Sequence, residues 1–430
     1  MKFSLKGQST GKFYPYISQI TPLMLLAFFR KIYLNNLKGV PTNAPVILAG
    51  NHPTAFVDPI LLCLFLDPPI YNMTRGDIFK KPFYRKLMES INMFPVYRVR
   101  DGYATRDRND EVFDYCIEKL RQERVVTIYV EGEHHLEKVV RPAKKGFARI
   151  AFGAFERYAQ DNLQIIPAGC NYQWGDRPRD TTMVNIGPPI FVKDYWALYQ
   201  ENQALAINKL CADLEAALKK VCFHLEDPED APLTEQLLEL HRSTHLFTAL
   251  PIIQYNTQRF ELEKAVCDRV NVMPASEKQG LKTETDAYFS ELASAGVSDL
   301  ALMTPQRGKL SGLILFVLGF IPFIVGYLSS WPLMRLAHWS TYKLVKKREF
   351  IGSVMMGIGF LAGFVYYLLW LIVGIVTLHP FWIGLTISLP LLGWFSVFYR
   401  EMWAGWVAAR KAKFHPKRAE LLAQRAKLNF

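Results

Sequence analysis

Residues 49–59 read AlaGlyAsnHisProThrAlaPheValAspPro and hold the sharpest chemical pairing in the chain. A strand-like apolar run ends at Gly50, His52 follows at once, and Asp58 stands just before Pro59, a residue suited to a helix's first turn. On a helix, residues six apart lie about 240° apart, so His52 and Asp58 meet only across a loop. Pro53 favours such a loop. A carboxylate that accepts from one ring nitrogen fixes the tautomer and leaves the other nitrogen as a base. That suits removal of a proton from a hydroxyl attacking an acyl carbonyl. A lone His–Asp pair at a strand end is more often structural, so the rest of the chain has to support the chemistry.

A second group is TyrValGluGlyGluHisHis, 129–135, followed by ArgProAlaLysLysGlyPheAlaArgIleAla, 141–151. Glu131-Gly132 ends an apolar strand-like run, where α/β folds place ligand groups. Lys144, Lys145 and Arg149 then cluster around Gly146, a set able to neutralise a phosphate or simply to form a solvated basic face. Metal ligation by His134 and Glu137 has no third ligand at a supporting spacing, and HExxH is absent, so no metal is expected. A third group, ProValTyrArgValArg at 95–100, places Arg98 and Arg100 at the end of another apolar stretch. Backbone N–H groups beside His52 or Gly132 are the candidates for holding an oxyanion.

These groups need a scaffold that ends strands side by side. Apolar runs at 45–49, 125–130 and 164–168 suit buried strands. Between them, Asp110 to Arg121 puts Val112, Phe113, Cys116, Ile117 and Leu120 on one helical face, and Ala143–Tyr158 suits a second helix. The alternation predicts an α/β domain with a central, mostly parallel sheet, followed by an α-helical segment and a C-terminal α-helical transmembrane region.

The composition fits that division. Half of the 430 residues are hydrophobic, which excludes a disordered chain, and six cysteines without CxxC spacing exclude a disulfide scaffold or zinc ribbon. From Ile351 to Tyr399, 49 residues carry no Asp, Glu, Lys or Arg. A helix of that length would extend ~73 Å against a bilayer core of ~30 Å, so the run should turn at His379-Pro380. Two spans result, about Gly352–Leu378 and Phe381–Tyr399. A shorter uncharged run, Leu310–Met334, either crosses once or dips in and returns at Pro322 or Pro332. The basic connector 335–349 and the basic tail both face the cytoplasm by the positive-inside rule. The net charge is +12, and residues 1–100 hold 13 Lys/Arg against 4 Asp/Glu. No nucleic-acid signature accompanies that charge, whereas anionic lipid accounts for it together with the apolar runs.

Taken in order, the motifs resemble the glycerolipid acyltransferase family, which includes glycerol-3-phosphate, dihydroxyacetone-phosphate and lysophosphatidate acyltransferases. Four blocks over roughly residues 30–200 carry the resemblance: Asn51-His52 with Asp58, Pro95 to Arg98, Glu131-Gly132 with Lys144-Lys145-Gly146, and Ile166-Pro167-Ala168-Gly169. Two departures stand out. Five residues separate His52 from Asp58 where four are commonest, and Val130 stands where Pro usually precedes Glu-Gly. With the C-terminal apolar runs, these resemble the fungal-type glycerol-3-phosphate branch.

The resemblance implies that His52 and Asp58 are catalytic and that Arg98, Glu131, Gly132 and Lys145 bind the phosphorylated glycerol acceptor. It also implies that Ile166 and Pro167 lie on the acyl-donor side. The expected reaction is acyl transfer from acyl-CoA or acyl carrier protein, as co-substrate and with no cofactor, to a glycerol-3-phosphate-type acceptor at the membrane. A lysophosphatidate acceptor is the alternative, and a non-catalytic anionic-lipid-binding protein is the rival of another class. A cytosolic thioester favours a cytoplasmic catalytic domain and a re-entrant path for 310–334. The expected organisation is a membrane-surface helix in 1–38 (Pro22 to Leu34), an acyltransferase domain at 39–200 and a helical acidic segment at 201–305. A membrane region at 306–400 and a basic cytoplasmic tail at 401–430 complete it.

Overall fold

The computed structural model describes residues 14–96, 105–246, 250–308 and 311–428. Two compact units emerge. The first comprises described residues 14–224, 250–261 and 347–353. Its strands are β1 (Phe29–Asn35), β2 (Val46–Gly50), β3 (Ile70–Arg75), β4 (Met93–Val96), β5 (Val125–Tyr129), β6 (Gln164–Tyr172), β7 (Asp180–Ile186), β8 (Ile190–Phe191) and β9 (Ile253–Gln254). They form one sheet in the order β4-β3-β5-β2-β6-β7-β1-β9, with β8 also on β6. Only the β6–β7 and β6–β8 pairings are antiparallel, so the sheet is mostly parallel, as the alternation of elements predicts.

β2 and β6 are buried along their whole length, and apolar residues fill most of their positions because strands covered on both faces favour them. The helices of this unit are α1 (Tyr14–Phe28), α2 (Val57–Phe65), α3 (Pro82–Glu89), α4 (Thr105–Arg121), α5 (Gly146–Tyr158), α6 (Trp196–Glu201) and α7 (Gln203–Val221). Ile47 and Ala49 of β2, Val126 and Ile128 of β5 and Ile165 of β6 share one core with Cys116, Leu120, Phe147, Phe152, Leu210 and Leu214 from α4, α5 and α7.

Two expectations change here. The surface helix expected over Pro22 to Leu34 stops at Phe28, and Phe29–Asn35 becomes β1, paired with β7 and β9. Its Phe, Ile and Tyr suit a pleated, half-buried surface better than a helix. The first unit also runs beyond residue 200, the boundary expected for the domain at 39–200. The apolar stripe Ala206, Leu210, Leu214 and Leu218 of α7 closes the same core, so this helix belongs with the sheet.

The second unit, described residues 225–246, 262–308, 311–346 and 354–428, is helical. It contains α8 (Ala231–Thr244), most of α9 (Gln258–Val272), α10 (Ala275–Ala295), α11 (Asp299–Met303) and α15 (Arg418–Lys427). The buried Asp299 carboxylate takes the Tyr288 hydroxyl at 2.6 Å and Arg425 Nε at 3.0 Å, and Arg425 also donates to the Leu240 carbonyl. That one charge pair ties four of these helices together.

Three further helices, α12 (Ser311–Leu344), α13 (Arg348–Thr377) and α14 (Pro380–Lys413), are long and apolar enough to cross a membrane. α12 is one continuous helix that runs on through Pro322 and Pro332 to Leu344. Its backbone meets α14 so closely that a Cβ on Gly326 would lie 2.0 Å from the Leu392 carbonyl oxygen. Small residues permit this kind of contact between membrane helices.

Candidate active site

Sheet register explains how motifs 79 residues apart converge. Gly50 at the end of β2 pairs with Tyr129 at the end of β5 on one side and with Ala168 of β6 on the other. His52 therefore stands two residues beyond one strand end and Glu131 two beyond its neighbour. This is the carboxyl edge where open α/β sheets bind ligands. β6 continues past Ala168 to Tyr172, so its last turns of pleat rise beside the His52 loop. Asn51 links the two: its Nδ2 donates to the Cys170 carbonyl at 3.0 Å and its Oδ1 accepts from the Cys170 N–H at 2.8 Å.

The loop after His52 folds back so that Asp58, in the first turn of α2, returns to it. His52 Nδ1 lies 2.7 Å from Asp58 Oδ2, with the His52 side chain 13% exposed and Asp58 completely buried. The carboxylate is saturated with donors. Oδ2 also accepts the Thr54 N–H at 2.9 Å, and Oδ1 accepts the Thr54 hydroxyl at 2.9 Å and the Tyr172 hydroxyl at 2.5 Å. A buried carboxylate is tolerated only when paired and hydrogen-bonded in this way. Burial, with Asp58 beside it, pushes the Tyr172 phenol well above its ordinary range, so it stays a donor. The arrangement holds Nδ1–H toward Asp58 and leaves Nε2 as the free base.

The imidazole is also held by rings. Tyr129 stacks on it with centroids 3.8 Å apart, and His134 meets it edge-on at 4.0 Å. Glu131 is buried beneath the loop, where its carboxylate accepts the backbone N–H groups of Arg141 and His52. Burial raises its pKa to about 7 despite those donors. Gly132 adopts φ +74 in a tight turn, a left-handed conformation that glycine takes without strain. A Cβ there would sit 3.6 Å from Lys144 Cγ, so the neighbouring basic side chain lies directly over the turn. Lys145 caps the start of α5 and is exposed.

The remaining sequence candidates fall elsewhere. Ile166 and Pro167 are interior residues of β6, level with Leu48 and Ala49 of β2. Arg98 and Arg100 lie outside the described residues. Three of the backbone donors beside His52 and Gly132 are engaged. Gly132 N–H goes to the Tyr129 carbonyl, Thr54 N–H to Asp58, and His52 N–H to Glu131. Sequence reasoning missed Thr54, Tyr129 and Tyr172, and weighed His134 only as a metal ligand. Tyr172 leaves no local signal, since 114 residues separate it from the carboxylate it touches.

Similarity to known proteins covers the segment that holds this site. Residues 31–171 match the family model described as Acyltransferase. Glycerol-3-phosphate O-acyltransferase 2 of Saccharomyces cerevisiae is 24% identical over 217 residues, covering 50% of this chain and 28% of that protein. Glycerol-3-phosphate O-acyltransferase 1 of the same yeast is 27% identical over 153 residues, 35% of this chain and 20% of that protein. The chain thus spans less than a third of the length of these curated relatives. Among solved structures, the 1-acyl-sn-glycerophosphate acyltransferase PlsC of Thermotoga maritima is 16% identical with a TM-score of 0.34, over 48% of this chain and 79% of that one. The matched segment, which runs from β1 across the His52–Asp58 turn and the Glu131 turn into β6, is thus similar to the Acyltransferase family model and to the yeast glycerol-3-phosphate O-acyltransferases.

Proposed function

We propose that the protein transfers a fatty acyl chain from a thioester, acyl-CoA or acyl carrier protein, to the hydroxyl of a glycerol-3-phosphate-type acceptor at a membrane. The observation that carries this is the 2.7 Å contact between His52 Nδ1 and a fully buried Asp58, which leaves Nε2 available at the sheet's carboxyl edge. Nε2 takes the hydroxyl proton as the acceptor oxygen attacks the thioester carbonyl carbon. The tetrahedral oxyanion collapses, the C–S bond breaks, and the thiolate leaves with the proton returned by the imidazolium. Asp58 remains ionised throughout and stabilises that imidazolium. Lys144 and Lys145, exposed beside the Gly132 turn, supply positive charge for the acceptor phosphate. The names of the yeast relatives favour glycerol-3-phosphate over lysophosphatidate.

Sidedness belongs to the same proposal. Residues 347–353 follow α12, yet they share a compact unit with residues 14–224, which precede it. Between residue 224 and α12, no described helix is long and apolar enough to cross a bilayer. A full crossing by α12 would divide that unit across the membrane. This supports α12 beginning and ending on one face, with α13 and α14 as the membrane hairpin. The catalytic unit, the basic connector and the basic tail then share the cytoplasmic side, where acyl thioesters are found.

The test is acyl transfer by the purified full chain in micelles with glycerol-3-phosphate, dihydroxyacetone phosphate or lysophosphatidate, each with both donor types. His52→Ala should abolish transfer while leaving folding and membrane association intact. Transfer that persists in His52→Ala would overturn the mechanism and leave lipid binding without catalysis as the function of the scaffold.

A further inference from the structure

The loop that carries His52 is not held by its own neighbourhood alone. The backbone N–H groups of Ala55 and Phe56, just past Pro53 and Thr54, find no acceptor within the loop. Ala55 donates to the Glu349 carbonyl at 3.4 Å, and Phe56 donates to the Ser353 hydroxyl at 3.0 Å, across 297 positions of sequence. Ser353 is only 3% exposed. Both acceptors come from the first turns of α13.

Three more contacts seat the same short segment in the first unit. Arg348 donates to Asp176 Oδ2 through Nε at 3.1 Å and its terminal nitrogen at 2.6 Å. Burial alone would raise the Asp176 carboxyl, but hydrogen bonds from Arg348 and Arg177 hold it below its ordinary range. A Cβ on Gly352 would come 2.4 Å from the Gly175 carbonyl oxygen, so the two backbones touch and only glycine fits. Phe350 packs edge-on against His134 at 5.1 Å, and His134 in turn meets the His52 ring at 4.0 Å.

We infer that residues 348–353, the opening of α13, are a positioning element for the reacting histidine, with Ser353 holding the loop backbone and Phe350 backing the ring through His134. The inference rests on the acyl-transfer reading of His52 but uses contacts that reading does not need. Its physical basis is that Ala55 is buried and the Phe56 N–H part-buried, and backbone donors so placed need acceptors that the loop itself does not supply. Here the acceptors belong to a helix that continues as one of the three long apolar segments. Ser353 bonds the loop backbone and Phe350 meets His134, so both act on His52 through those partners.

The experiment compares Ser353→Ala, Ser353→Thr and Phe350→Leu in the full chain in micelles. Two readouts are used: amide hydrogen exchange of the peptide spanning 50–58, and acyl-transfer kinetics. One neutral hydrogen bond corresponds to roughly a tenfold change at most. Ser353→Ala should speed exchange in that peptide by up to about tenfold and lower kcat by a similar factor, with KM for the acceptor within about twofold. Ser353→Thr keeps the hydroxyl and should restore both. Phe350→Leu, which preserves apolar bulk and folding, should lower kcat without changing exchange at 55 and 56. Unchanged exchange in Ser353→Ala overturns the inference whatever the activity. Faster exchange with unchanged kcat also overturns it, because the loop would then be held without serving the reaction. An inactive parent protein instead refutes the acyl-transfer reading, and the exchange comparison still decides whether this turn holds the loop.

Discussion

Replacing Asp58 by Asn separates the two services that a carboxylate offers a histidine. Each Asp58 oxygen accepts two donors, but the donors differ in kind. Oδ2 faces His52 Nδ1 and the Thr54 backbone N–H, which cannot reverse; Oδ1 faces the Thr54 and Tyr172 hydroxyls, which rotate and can accept instead. The introduced amide is therefore sorted by its surroundings, with its oxygen toward His52 and its nitrogen toward the two hydroxyls. The tautomer survives and Nε2 remains the base. What disappears is the negative charge opposite the imidazolium, whose centre lies about 4 Å away, worth about 4 kcal/mol at an effective dielectric near 20. A loss of that size corresponds to roughly a thousandfold in kcat, with KM for both substrates nearly unchanged. The assay is steady-state acyl transfer by Asp58→Asn and by the parent across pH 6–9, with circular dichroism as the folding control. A loss below about tenfold would mean that no imidazolium needing a counter-charge forms at His52, and the general-base mechanism would fall.

Tyr172→Phe removes one of four hydrogen bonds to the same carboxylate and keeps the ring. Bonds to charged groups contribute about 1.5–3 kcal/mol, so the melting temperature should fall by several degrees and kcat by about three- to tenfold. An unchanged melting curve would show that Asp58 does not depend on this residue from the far end of β6. Glu131 has a pKa raised to about 7 by burial, so its protonated form is the better one in the folded state. Its stabilising contribution is complete below the unfolded value near 4.5 and is lost as pH rises through about 7, a change on the order of 3 kcal/mol. Melting temperature should consequently drop between pH 5 and 8 in the parent and less so in Glu131→Gln. Asp180, raised to about 6 by burial, adds its own slope to both proteins, so the difference between them is the quantity to measure. Equal slopes would remove Glu131 as the cause. Gly169→Ala puts a Cβ 2.1 Å from the Val221 carbonyl oxygen, a backbone atom that cannot step aside. We expect a destabilisation of about 1–3 kcal/mol or a failure to accumulate, and a normal melting temperature would contradict the packing of α7 on β6.

Local pattern was enough for much of this protein. The runs at 45–49, 125–130 and 164–168 read as buried strands because they are almost wholly apolar, and the stripe from Val112 to Leu120 reads as one helical face. The 49-residue uncharged stretch could only fold as a turned pair of helices, since no bilayer accommodates it straight. Pattern misled where two periodicities overlapped. Phe29 to Asn35 continues the apolar character of α1 yet is claimed by the sheet, because β1 finds partners on both edges there. Pro322 and Pro332 lie inside α12 without ending it, since neighbouring helices can support a proline in an apolar helix.

By itself, then, the sequence determined the spacing of His52 and Asp58, the proline that keeps the segment between them out of a helix, and the apolar runs that must become sheet or span. Only the tertiary structure decided which residues surround that pair. Register sets Gly50, Tyr129 and Ala168 level, which brings Glu131 to the His52 backbone. The extra length of β6 delivers the Tyr172 hydroxyl, and the first turns of α13 deliver Ser353 and Phe350. The physical reason is that these partners lie roughly 80 to 300 positions away along the chain, and hydrogen bonding acts over about 3 Å regardless of that separation. No periodicity in a local window records such a meeting.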